Sequence, residues 1–138
     1  MKPIGCILLI CLPVTIAGCS TPEIRLRVSG TKAACTVELK TPLLAKGGPT
    51  VENLQVYRGA PPYPGKASEC KLIASPDPSP LAKWQIGTEP TGFRLERCAP
   101  LESGERYTVS VHAVGGIGAR PLVIREDGTV DNLGHEWE

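Results

Sequence analysis

The chain has 138 residues with 15 Lys and Arg against 14 Asp and Glu, a net charge of +1 with both signs interspersed. That balance excludes the basic stripe a nucleic-acid partner requires and leaves little electrostatic pull toward anionic lipid. The length suits one domain with a single core and is short for two.

Residues 1–18, MKPIGCILLICLPVTIAG, place one cation, Lys2, ahead of an apolar run too short to span a bilayer as a stable helix. A cleaved secretory signal accounts for them. The run ends in Ile16-Ala17-Gly18-Cys19, which resembles the lipobox of bacterial lipoproteins, where small residues let a peptidase reach the bond before a diacylglyceryl-modified cysteine. The resemblance implies lipidation of Cys19, a tether over residues 19–23 and a mature domain over 24–138. Several acyl chains hold a protein firmly on a bilayer where one does not. Ser20 after the cysteine implies the outer membrane, facing the periplasm, because an Asp there is the usual retention signal for the inner membrane.

Glycine and proline then punctuate the chain at roughly eight- to twelve-residue intervals, the spacing of a β-sandwich or barrel. Ile24-Arg25-Leu26-Arg27-Val28 puts apolar side chains on one face and arginines on the other. Cys35-Thr36-Val37-Glu38-Leu39-Lys40 repeats the alternation with Cys35 on the buried face, and Leu54 to Arg58 predicts a third strand. Residues 59–80 hold six of the fourteen prolines and read as a stiff surface loop. Within this region Tyr63, and beyond it Trp84, are candidate partner-binding aromatics, since long loops on rigid sandwiches commonly carry recognition. Trp84-Gln85-Ile86 and Phe93-Arg94-Leu95 supply further short strands.

The strongest alternation is Tyr107 to Val114. It is followed by a turn over Gly115-Gly116-Ile117-Gly118 and a closing strand at Leu122-Val123-Ile124. Asp127-Gly128 predicts a two-residue type I′ hairpin. No segment sustains a 3.6-residue period, so almost no helix is expected. Leu101-Glu102-Ser103-Gly104-Glu105-Arg106-Tyr107, leading into that strand, resembles the fibronectin type III stretch in which a leucine, a turn glycine and a tyrosine precede an alternating strand. The resemblance implies a tyrosine corner at Leu101, Gly104 and Tyr107 and a single immunoglobulin-like, fibronectin type III-like antiparallel sandwich of about seven strands.

Of the six cysteines, Cys6 and Cys11 leave with the signal and Cys19 carries lipid, so Cys35, Cys70 and Cys98 remain. They form no C-x-x-C pair and have no nearby histidine, so no metal is expected and one structural disulfide is. Sandwich order would bring Cys35 to Cys98; Cys70 with Cys98 is the alternative.

Chemistry is sparse. His112 alternates outward and His135 lies in a polar tail, with no acid or nucleophile beside either. The glycines at 115, 116 and 118 precede Pro121 and another strand where a phosphate loop needs a helix. No catalytic residue and no cofactor are expected. The pattern predicts a membrane-anchored, non-enzymatic periplasmic binding lipoprotein with a protein partner in the envelope. The layout resembles periplasmic immunity lipoproteins of type VI secretion loci, implying an inhibitor of a toxin or hydrolase. Ser103-Gly104-x-x-Tyr107 also resembles part of the motif of membrane-bound lysozyme inhibitors, without its later lysine-glycine pair. The alternative is a structural accessory lipoprotein of a secretion or conjugation complex, docking through a sheet edge.

Overall fold

A computed structural model describes residues 23–41, 48–59 and 67–133. The expected signal segment over residues 1–18, Cys19, Tyr63 and His135 lie outside these residues. Ten strands follow one another with no helix among the described residues: β1 (Arg25–Thr31), β2 (Ala34–Lys40), β3 (Thr50–Arg58), β4 (Cys70–Ala74), β5 (Ser79–Pro80), β6 (Lys83–Gln85), β7 (Phe93–Cys98), β8 (Arg106–Ala113), β9 (Gly116–Ile124) and β10 (Val130–Asn132). They form a β-sandwich. The smaller sheet runs β1-β2-β6 and the larger β10-β9-β8-β3-β4-β7, with β5 paired to β3. The subset β1-β2-β6 facing β9-β8-β3-β4 follows the immunoglobulin-like plan, and β5, β7 and β10 are additions to it.

Alternation generates the core. Leu26 and Val28 of β1 pair in register with Leu39 and Val37 of β2, and all four are buried. Their layer faces Leu54, Val56, Leu72, Val109, Val111, Leu122 and Ile124 of the larger sheet. In β3 the inward positions Val51 and Leu54 are three residues apart. The register slips between Val51 and Asn53, and this bulge restores the phase so that both side chains point inward.

The two long seams of the sandwich differ. Along β1 the sheets are laced together. The Ile24 amide donates to the Ile117 carbonyl at 2.8 Å, and Thr31 bridges Thr129. The Asn132 carboxamide accepts from the Val28 amide at 2.9 Å and donates to the Val28 carbonyl, standing in for a neighbouring strand. Arg120, buried on β9, donates to the Leu26 carbonyl at 2.9 Å and the Leu133 carbonyl at 3.0 Å. The opposite seam, between β6 and β7, is spanned by the connection through residues 86–92.

Several sequence expectations are corrected. Residues 70–74 form β4 inside the segment expected to be loop, with Cys70 and Leu72 buried. The expected Cys35–Cys98 bridge is not formed: Cys70 and Cys98, directly opposite on β4 and β7, are joined, and Cys35 is a free buried thiol on β2 in the other sheet. The reason is β7 itself, which adds to the outer edge of β4 and carries Cys98 there. The turn after β8 is only Val114-Gly115, with Ala113 opposite Gly116. Gly116 and Gly118 are strand residues. Gly118 is required because the start of β1 approaches so closely that a Cβ would lie 2.0 Å from the Ile24 carbonyl oxygen. The Asp127-Gly128 hairpin is not type I′, which needs positive φ at both central residues. Only Gly128 has it, at 87°, and the bonds Gly128 N to Arg125 O and Arg125 N to Thr129 O, each 2.8 Å, close a three-residue loop.

Candidate functional site

Strand directions give the sandwich two ends. The leading end holds Glu23, the close of β2 at Lys40, the opening of β3 and the Val114-Gly115 turn. The far end holds the β1–β2 turn, Arg58, the disulfide, the crossover from Ala99 to Glu105 and the turn after Ile124.

The tyrosine corner organises the far end. Tyr107 is fully buried at the start of β8, and its hydroxyl accepts the Glu102 amide at 2.8 Å, pinning the crossover over the end of the core. Leu101 is buried beneath it and Gly104 turns the chain at φ 83°. Burial raises the Tyr107 phenol above its ordinary range, so the hydroxyl stays protonated.

Arg58, at the end of β3, is the electrostatic hub of this end. Its guanidinium lies 3.2 Å from Glu102, 3.2 Å from Glu105 and 3.6 Å from Glu69, with its carbon 5.5 Å from the Tyr107 ring centroid. The hydrogen bond to Glu102 leads the causes that hold it charged, above the usual arginine range. Each ion pair is solvent-exposed and contributes little alone; together they fix strand end, crossover and β4 approach in one arrangement. Nearby, the Thr129 hydroxyl and amide donate to Asp127 at 2.7 and 2.9 Å and hold its carboxyl below the usual range.

Beside this hub the open seam forms a groove of about 300 Å³, lined by Lys32, Ile86, Gly87, Leu95, Cys98, Ala99, Pro100 and Leu101. Most of its lining side chains are apolar, and Lys32 adds a cation. That size lies at the low end for small-molecule pockets and suits one or two inserted side chains. Trp84, expected to present itself to a partner, does not: it is 1% exposed, and its indole N–H donates to the Thr88 carbonyl at 3.0 Å, packing the core below the groove. Glu89 accepts the Leu95 amide at 2.8 Å, capping an edge position of β7 that also displays Arg94, Glu96 and Arg97.

No protein-family model, characterised protein or solved structure matches the chain. The site must be read from its own groups. His112 is exposed on β8 opposite Asn53 and Ile117, toward the leading end and away from the carboxylates around Arg58. Among the described residues no group of three His, Cys, Asp or Glu side chains is arranged to hold a metal. Burial pushes the Cys35 thiol up to about 11, the reverse of what a nucleophile needs. What the far end offers is shape, a mostly apolar lining and fixed charges. Sequence reasoning missed the groove residues Ile86, Leu95, Ala99 and Pro100. The signal available was Cys70-Lys71-Leu72, whose alternation between two proline clusters marks the strand that positions β7.

Proposed function

We propose that the chain is a lipid-anchored envelope protein that binds a protein partner through its far end, without catalysing a reaction. The observation that carries this reading is that the groove beside Leu95 and Leu101 opens at the end opposite Glu23, four residues after the lipobox cysteine. A domain tethered through Cys19 would thus hold its groove away from the bilayer, toward the periplasm. The mostly apolar lining with Lys32, and the Arg58 cluster beside the groove at the same end, suit a protruding loop of a soluble toxin or hydrolase, the inhibitor form of the function. The accessory form, docking through a sheet edge, gains less support, because Glu89 caps β7 and charges line it.

The test is site-specific photocrosslinking in the native membrane, with a photoreactive residue at Ala99 on the groove rim and, separately, at Arg25 on the leading end. The expected result is one soluble protein crosslinked from Ala99 and not from Arg25. It should also bind the isolated domain and be lost with Leu95→Asp. Several envelope-complex subunits crosslinked from both positions would favour the accessory role. Intact-mass measurement of the same sample should show acyl mass on Cys19; an unmodified N-terminus would overturn the anchor.

A further inference from the structure

Two large apolar side chains are conspicuously exposed among the described residues, Val114 at 61% and Ile117 at 52%, and both lie at the leading end on the β8–β9 hairpin. Neither contributes to the core, and isolated apolar side chains on a surface need no explanation. Their shared position does, because it coincides with the point where the chain enters the domain. The Ile24 amide donates to the Ile117 carbonyl at 2.8 Å, and Glu23 bridges Ile117 in parallel. Since β1 and β9 leave this end side by side, Val114 and Gly115 project past Glu23, away from the domain.

We propose that this hairpin tip is a bilayer contact, seated in the interfacial region of the membrane that holds the lipidated N-terminus. The proposal rests on the anchor reading above, and two observations choose lipid as the occupant. Ser20, Thr21 and Pro22 are the only residues between Cys19 and Glu23, a reach of at most about 14 Å, so the tip cannot stand far from the acylated membrane. The chemistry also fits: Val114 on the turn and Ile117 on the first residues of β9 form a small apolar wedge. Arg25 and Lys40, opposite each other in the β1–β2 register at the same end, supply cations near the lipid phosphates, with Glu23 and Glu52 acidic residues at that end. The contact would orient the domain. With the tip down, the groove at the far end points away from the bilayer, whereas a tether alone leaves the domain free to tumble.

The experiment uses the full-length protein, purified from membranes and reconstituted in vesicles of phosphatidylethanolamine and phosphatidylglycerol with brominated acyl chains. Tryptophan is introduced singly as Val114→Trp, Ile117→Trp or, at the far end, Ala99→Trp, and quenching is read against the unsubstituted protein. All three positions are exposed, and circular dichroism checks each fold. The expected result is several-fold stronger quenching at 114 and 117 than at 99, abolished at 117 by adding Val114→Asp. Acyl mass on Cys19 with equal quenching at all three positions would overturn the tip contact and leave the anchor standing. A protein crosslinked through position 114 in the native membrane would likewise overturn it in favour of a protein interface. Absence of acyl mass would overturn the anchor and the tip contact together.

Discussion

Tyr107 shows how much one buried polar atom can fix. Its hydroxyl accepts a main-chain amide of the crossover, and removing the oxygen leaves the Glu102 N–H without that acceptor. Tyr107→Phe should therefore destabilise the domain by about 1 to 3 kcal/mol, read as a lower urea midpoint at unchanged slope. Tyr57→Phe, which loses a hydroxyl that donates to the Gln55 side chain at 2.9 Å on a half-buried strand position, is the control and should change less. Cys35 gives a prediction in pH. Its thiol is pushed from an ordinary 9.0 to about 11 by desolvation, so folding favours the protonated form. The unfolded chain then loses its thiol proton first as pH rises, and linkage removes stability from the native state between pH 9 and about 11, leaving it intact below. The stability of Cys35→Ala should lose less across that window. In the native protein Cys35 should resist thiol reagents at pH 8 until denaturant is added; equal labelling with and without denaturant would show the thiol to be accessible.

At the scale of elements, the strands that the sequence makes legible are those whose partners lie nearby in the chain or whose alternation is uninterrupted. Leu26-Arg27-Val28 and Val37-Glu38-Leu39 show their faces plainly, and Tyr107 to Ala113 carries both a strong period and the corner that starts it. β4 was obscured because five residues between two proline clusters leave room for barely one cycle of alternation. With β4 hidden, β7 has no visible neighbour in the sequence, which ranks the Cys70–Cys98 bridge behind Cys35–Cys98. Trp84 misled for a related reason: β6 has three residues, too few to show that its middle one points inward. The groove is illegible in the sequence because its walls come from the β1–β2 turn, the start of the 86–92 connection, β7 and the crossover, brought together by long-range pairing. The bridge that pins β7 to β4 closes a loop with a sequence separation of 28, so its removal should cost about 3 to 4 kcal/mol on the chain-entropy model. Because Cys98 sits at the tip of an edge strand, the loss should also be local. In Cys70→Ala with Cys98→Ala, hydrogen exchange should accelerate first across residues 93–98, while Val109 and Val111 in the centre of the sheet keep their protection. Uniform acceleration would mean that β7 does not open apart from the rest.

For the molecule as a whole, the consequential asymmetry is between its two seams. One is closed by side chains and isolated bridges that join β1 to β9 and β10; the other is held by the 86–92 connection and leaves the groove. A sandwich closed on one side and open on the other should breathe in a fixed order, because opening free energy follows the hydrogen bonds and apolar contacts that must be given up. The Ile86 amide, bonded to the Cys35 carbonyl at 2.8 Å beside the groove, should exchange faster than the Val28 amide, bonded to Asn132 at 2.9 Å. Replacing Asn132 by Ala removes both bonds of that carboxamide to the Val28 main chain. At about 1 kcal/mol for each net hydrogen bond, exchange at Val28 should rise by roughly one order of magnitude or more, with Val109 unaffected. A partner seated in the groove should act on the other seam alone, slowing Ile86 in proportion to its occupancy while Val28 stays as it was, since a ligand stabilises only the states it binds. If Asn132→Ala left Val28 exchange unchanged, the lacing would be incidental to closure, and β1 would be held by its pairing with β2 and the packing of Leu26 and Val28 beneath it.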